Sequence, residues 1–463
     1  MGNLFYGINI NRNTLKAQTD VLNTTAHNIA NANTPGFSRQ TVNLASIDDS
    51  SSSGLRMSSF IKVGSGVEST MVTRSRFELY DGIFRKVNQG LNFDQKTEEL
   101  MHQVELLFDE PSDRSLGGII NDFFNGWLDI SNAPQDIAAR QSLHSVASEM
   151  TDRFKRIYNS LVGLREDINA EIVAIPSQIN EIVREITDLN GAIFKSESQG
   201  GPANDLRDKL DLLVDELSDF ASVRTVKQEN GSTTVLIGNK VMAEREAFTE
   251  LSTRTEVLDD GFIRTTIVSA DGLGFEPNDG KLGGLINFRD NVITVLLNDL
   301  DKLAEGIVTN INFEHRNGYG LDGLNDRDFF DPNKKYAFNF ELSSDIDDVS
   351  HIGASINGAR GDNANAFNIN ELKDKRIIDD RYSINEFYNG FIANLGVIAR
   401  EAKSSRINGE LLVSQMDNSR ESIKGVSVDE ELITMIQAQH IYQSASRLIQ
   451  VLDQLIEEVL NIV

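Results

Sequence analysis

The first thirty residues carry apolar side chains at heptad spacing. Ile8, Leu15, Leu22 and Ile29 are seven apart with Leu4 one turn ahead, while the alternate positions Asn11, Gln18 and Thr25 are polar. The spacing predicts a helix with half of a coiled-coil seam, too thin to bury itself. It should stop near Asn33-Thr34-Pro35-Gly36, because proline disfavours helical geometry in Thr34 and Gly36 permits a positive φ. Ser46 to Ser53 then reads as a loop. At the other end Met435, Ala438, Tyr442, Ala445, Ile449, Leu452, Ile456, Val459 and Val463 alternate three- and four-residue steps. That is a complete seam in need of a partner, and the N-terminal helix is the obvious candidate.

Between the ends the pattern predicts a helical stretch from about Glu68 to Phe220. In it Ile168, Ile172, Ile175, Ile179, Ile182, Ile186, Leu189 and Ile193 form one stripe. Pro176 lies inside that stripe and should kink or split the helix. Gln199-Gly200-Gly201-Pro202 breaks it, and Leu206, Leu210, Leu213 and Leu217 mark a further amphipathic helix. From Ala221 the period changes to that of strands. Asn230-Gly231 and Asp260-Gly261 sit where two hairpin turns are expected. Helix returns from Leu285 to Ile311, loops with short strands occupy Gly318 to about Asn370, and helix resumes from about Ile384 to Gly425.

The expected fold class is therefore mainly α with an inserted β-rich domain. Its arrangement is nested: an inner helix pair from 1–46 and 428–463, a helical body from 47–220, 283–316 and 371–427, a β-rich outer domain at 221–282, and loops at 317–370 packed on the body.

Composition narrows the classes of function. The chain has 463 residues, no cysteine and a formal charge of −26. Without cysteine there are no disulfides and no thiolate chemistry. No apolar run is long enough to span a membrane, and the start lacks the pattern of a cleavable signal, so membrane insertion is not expected. The acidic excess argues against nucleic acid. It is uneven: residues 1–46 carry +2, residues 428–463 carry −5, and the middle holds −23. None of the six histidines stands in a metal-binding spacing. The acidic turn Asp322, Asp326, Asp328 and Asp331 lacks the glycine and closing glutamate of a calcium loop. Trp127 beside Phe123 and Phe124 reads as core. No catalytic, cofactor-binding or metal-binding residue is assigned, and no enzyme activity or cofactor is expected.

One motif is more specific. Ala30-Asn31-Ala32-Asn33-Thr34-Pro35-Gly36-Phe37 resembles the N-terminal motif of the bacterial flagellar axial family of rod, hook and hook-associated proteins. Its extension Ser38-Arg39-Gln40 is similar to the members at the hook–filament junction. Colinear stretches agree: Glu110-Pro111-Ser112, Pro134 to Arg140, Asn204-Asp205-Leu206-Arg207-Asp208, Leu282-Gly283-Gly284-Leu285, Gly425 to Glu431, and Tyr442 to Arg447. The resemblance implies a structural protein exported by type III secretion without a cleaved signal. It would lie outside the cell at the hook–filament junction as a ring or helical layer of like subunits. The implied partners are the hook protein, a second hook-associated junction protein and a cytoplasmic export chaperone. The alternatives are a hook or rod protein of the same family and a secreted translocator or adhesin.

Overall fold

The computed structural model describes residues 2–47, 64, 66–109, 112, 115–228, 231–238, 240–275 and 277–462. The loop expected at Ser46–Ser53 lies, from residue 48 on, outside them, as do Glu110, Pro111, Asn230 and Val463. Helix α1 (Gly2–Ala30) is followed by strands β1 (Gln40–Ser46) and β2 (Val67–Arg74). Helices α2 (Glu78–Phe108), α3 (Leu116–Asn132), α4 (Ile137–Ser198) and α5 (Asn204–Phe220) come next. The β-rich segment holds β3 (Val223–Lys227), β4 (Thr233–Ile237), β5 (Lys240–Glu244), β6 (Ala247–Phe248), β7 (Leu251–Val257) and β8 (Ile263–Ser269). Helix α6 (Gly280–Asn287) runs through a π turn into α7 (Ile293–Asn317). Then come α8 (Ala364–Glu371), α9 (Ile384–Lys424) and α10 (Val428–Ile462). The chain is mainly helical, with small antiparallel sheets inserted in the middle.

Besides the segment 317–370, where isolated bridges and the start of α8 stand in place of the short strands expected, two expectations change. The segment from Glu68 to Arg74 is strand, not helix: β2 pairs antiparallel with β1, and the helical run begins only at Glu78. Its β-branched Val67, Thr70, Val72 and Thr73 favour that outcome, but the pairing partner is distant in sequence and invisible to local period. The hairpin straddles the expected boundary at residues 46 and 47. Secondly, Pro176 does not split its helix. α4 continues through it for 62 residues, about 90 Å. Pro176 and its neighbours Ile172, Ile175 and Ile179 are all buried, so packing on both sides offsets the one missing backbone bond.

α4 is the spine of the body. Its isoleucine stripe lies in one continuous core with α2, α3, α5, α6, α7 and the inward faces of the sheets. Three asparagines on α4, spaced three turns apart, hold the β segment. Asn180 donates to the Leu251 carbonyl and accepts its N–H, both at 2.8 Å, and Asn190 does the same for Thr233 at 2.8 Å. Asn169 accepts from the Thr265 N–H at 2.9 Å. Asn180 and Asn190 supply both the donor and the acceptor that a neighbouring strand would, while at Thr265 the carbonyl is served by Arg289, so strand edges are satisfied by helical side chains.

The loops between α7 and α9 cover an aromatic cluster of Phe123, Phe124, Trp127, Phe329, Phe330 and Phe340, all fully buried. Asn312 accepts from the N–H groups of Phe329 and Phe330. His315, at 1 % exposure, lies between Trp127 and Phe329. Its Nδ1 is 2.8 Å from the Arg327 carbonyl and its Nε2 accepts from the Gly353 N–H at 2.9 Å, an arrangement that requires the neutral ring with hydrogen on Nδ1. Burial pulls its pKa from 6.5 down to about 4. Below pH 6.5 the unfolded chain therefore takes up a proton that the folded chain refuses, and stability falls until pH 4. Denaturant unfolding should show this group removing about 2 kcal/mol between pH 7 and pH 5. His315→Gln should flatten that slope, and an unchanged slope would remove His315 as its cause.

Candidate functional site

α1 and α10 run antiparallel. A Cβ on Gly7 would lie 3.1 Å from Leu452 Cδ1 near one end of the pair, and Asn28 donates to Glu431 Oε2 at 3.0 Å at the other. Leu4, Ile8, Leu15, Leu22 and Ile29 are half-buried, as are Met435, Ile449, Leu452, Ile456 and Val459. Ala438 and Ala445 are buried, and Tyr442 stays 39 % exposed. The polar positions Gln18 and Thr25 are among the most buried of α1. The β1–β2 hairpin lies along α1, where Ser69 donates to Asp20 and Gly66 meets Ile10.

A second apolar stripe on α10 faces outward. Ile441, Leu448, Val451 and Leu455 are each 42–53 % exposed, one position or two from the inner seam. A helix with one stripe against α1 and another in solvent has capacity for a further helix.

The root of this pair is a buried polar region. The axial-type motif begins as Ala30 ends α1. Asn31 returns a bond to the His27 carbonyl, and Thr34 donates to Asn31 Oδ1. Asn33, Thr34 and Pro35 are exposed. Gly36 takes φ +78°, with Leu212 of α5 3.3 Å from where a Cβ would stand, and Phe37 meets the His27 ring edge-on.

After this turn every residue is tied down. Ser38 gives its N–H and its hydroxyl to the two oxygens of Asp208, each at 2.8 Å. Arg39 donates its N–H to the Lys424 carbonyl and Nε to buried Glu431 at 2.7 Å, and its carbonyl accepts from Ser75. Gln40 pairs with Asn28 through its backbone and with Asp205 through its side chain. Arg39 thus joins both chain passes between the helix pair and the body.

Beneath lies a cluster of Arg74, Arg76, Arg85 and Arg420 with Asp81, Asp208, Asp211 and Asp215. Arg74 contacts Asp208 and Asp211, Arg76 contacts Asp81 and Asp211, and Arg85 contacts Asp211 and Asp215. Arg420 bridges Asp81 and Asp215. All eight side chains are under 20 % exposed, and the charges balance. Burial alone would raise the Asp211 carboxyl, but Arg76, Arg74 and Arg85 outweigh it and hold it below its ordinary 3.8. Burial likewise opposes charge on Arg76 and Arg85, and the surrounding aspartates raise both instead.

The motif residues and the paired seams meet at this root. Sequence reasoning assigned no role to the arginines or to Asp208, Asp211 and Asp215. A signal existed: the three aspartates fall at i, i+3 and i+7 on the face of α5 opposite Leu206 and Leu213. The acidic turn at Asp322–Asp331 is engaged differently, with Asp322 held by Arg327 and Asp328 by Arg316.

Two substitutions test the root. Asp208→Ala removes the acceptor of both Ser38 bonds and one of the two carboxylates on Arg74, leaving four buried arginines against three aspartates, and should cost about 3–5 kcal/mol. Amide exchange should then rise at Ser38 and Arg39 first; protection unchanged there would show the cluster does not hold the turn. Since Asp211 is depressed in the folded state, its contribution is present above pH 3.8 and is lost as pH falls below it. Gly36→Val places a β-branched residue in left-handed geometry against Leu212. It should lower stability by about 1–2 kcal/mol or more, read as a drop in Tm.

A chain whose two ends return as an antiparallel helix pair, rooted by buried charge in a helical body and carrying an open apolar stripe, has the construction of an assembly subunit. Three family descriptions match it in colinear order: a flagella basal body rod protein segment at residues 8–37, the flagellar hook-associated protein FlgK helical domain at 101–330, and the flagellar basal body rod FlgEFG protein C-terminal segment at 422–462. The chain belongs to the flagellar hook-associated protein FlgK family. It is 28 % identical to flagellar hook-associated protein 1 of Bacillus subtilis over 100 % of this chain and 99 % of that one. The Salmonella typhimurium protein of the same name is 29 % identical over 68 % of this chain and 57 % of its own length. The structure of the flagellar hook junction protein FlgK from Burkholderia pseudomallei superposes with a TM-score of 0.64 at 16 % identity, covering 74 % of this chain and 100 % of that one. That likeness is one of fold.

Proposed function

We propose that the chain is a structural subunit of the bacterial flagellum, an adaptor polymerising between hook and filament at their junction. The observation that carries this reading is the outward stripe Ile441, Leu448, Val451 and Leu455 on a helix whose other stripe is already occupied by α1. Burying such side chains between subunits contributes about 1.5–3 kcal/mol each before ordering costs are subtracted. Heterologous contacts of this kind build rings or helical tubes. In this reading the inner helix pair at 1–46 and 428–463 makes the contacts between copies. The body at 47–220, 283–316 and 371–427 packs around it, with the β-rich part at 221–282 and the loops at 317–370 farther out. The role is architectural, with no catalytic step.

The neighbours in this reading are other copies of the chain, the hook protein on one side and the second hook-associated junction protein on the other. A cytoplasmic chaperone accompanies the chain to type III export, and the place of action is extracellular. A hook or rod protein is the nearest rival. It shares the terminal matches, whereas the match at residues 101–330 is to the helical domain of hook-associated proteins and favours the junction.

Leu452→Asp puts a charge into the seam beside Gly7. The variant should keep a folded body yet leave cells with bare hooks and secreted filament protein in electron micrographs. Normal filaments in that strain would contradict the assignment of the seam to assembly.

A further inference from the structure

Strand β7 is an open edge. In the β7–β8 ladder Val257 faces Ile263 and Leu251 faces Ser269, and the Leu258 N–H closes the hairpin onto the Phe262 carbonyl. Ser252, Arg254 and Glu256 therefore direct their backbone groups toward β8. Thr253, Thr255 and Val257 direct theirs away from it. On that outer side Asn180 satisfies Leu251, and among the described residues no backbone partner stands against Thr253, Thr255 and Val257, all exposed. Ser252 to Val257 are all exposed, Val257 at 73 %. The segment is rich in β-branched residues and contains no proline, so the usual protection of an edge is incomplete.

The charges on this strand are arranged as a palindrome. Glu256 is paired within the hairpin to Arg264, while Arg254 makes no ion pair among the described residues. If two β7 strands meet antiparallel with Thr255 opposite Thr255, the outward residues Thr253, Thr255 and Val257 fall on hydrogen-bonding positions. Arg254 of each copy then stands opposite Glu256 of the other, twice over, at the closely spaced non-bonded positions. A one-step slip would turn the outward backbone groups out of register and part the charges.

We infer that β7 is a self-recognition edge: two copies of this chain pair antiparallel through residues 253–257 into a continuous four-stranded sheet. Such a pair is related by a two-fold axis, which a wall of like-oriented subunits does not contain. The pair belongs to the chain outside the assembly, where it covers an edge open to non-specific strand addition, and incorporation separates it. The pairing itself is independent of the junction role, and only its separation on incorporation rests on that reading.

Sedimentation equilibrium of the full chain tests it with charge variants. The native chain should associate reversibly to dimers. Arg254→Glu and Glu256→Arg, each alone, place like charges opposite one another and should weaken the dimer about ten-fold or more. An equimolar mixture of the two variants restores both opposite-charge pairs and should dimerise as mixed pairs. Thr255→Pro, which removes an outward N–H and leaves the β8 ladder intact, should abolish pairing while circular dichroism stays native. A monomeric native chain, association of the single variants equal to native, or a mixture no stronger than its components would each overturn the proposal. Association that survives in every variant would assign it to the terminal helices instead.

Discussion

Four arginines and four aspartates share one buried volume where α1, α2, α5, α9 and α10 converge, and the placement of the helix pair depends on their mutual neutrality. Neither α1 nor α10 is anchored to the body by a large apolar face. α1 carries half a seam, with Gln18 and Thr25 in its interior positions, and α10 spends one stripe on α1 and leaves another open. What orients the pair is polar and directional. Ser38 lies on Asp208, Arg39 on Glu431 and the Lys424 carbonyl, and Gln40 between Asn28 and Asp205. An apolar contact tolerates sliding, whereas bonds of this kind fix an angle, and removing one partner strands a buried charge.

The same economy recurs along α4. Asn169, Asn180 and Asn190 attach the β segment through backbone amides, so the insertion is held at set points along the spine. The body can therefore be stiff over a long helix while its outer parts remain small hairpins. Most of the acid excess, −23, lies between the end segments, whose own charges are opposite in sign, +2 on residues 1–46 and −5 on residues 428–463.

Much of this was legible in the sequence where one period runs uninterrupted. The heptads of Ile8 to Ile29, the steps from Met435 to Val459 and the isoleucines of α4 each specify a helix face without tertiary help. The turn at Gly36 and the two β hairpins followed from glycine and proline chemistry. What stayed hidden depends on pairing at a distance. β2 is a strand because β1 lies beside it. Pro176 is accommodated because Ile172 and Ile179 are packed on either side. The charged root joins side chains from β2, α2, α5, α9 and the β2–α2 connection, and in so acidic a chain three aspartates on one face of α5 do not stand out by themselves. Asparagine clamps are equally silent, since an asparagine on a helix reads as surface until a strand edge is placed against it.

The absence of cysteine permits a direct measurement of the root, because two introduced thiols label the chain uniquely. Spin labels at Gln443→Cys on α10 and Asp188→Cys on α4, both exposed sites, report the angle between helix pair and body through their distance distribution. With the root intact, pulsed dipolar spectroscopy should give one narrow distance. With Asp211→Ala added, which strips three arginines of a shared carboxylate, the distribution should broaden while helix content is kept. An equally narrow distance in both proteins would contradict the claim that buried charge at this point sets the direction of the terminal helices.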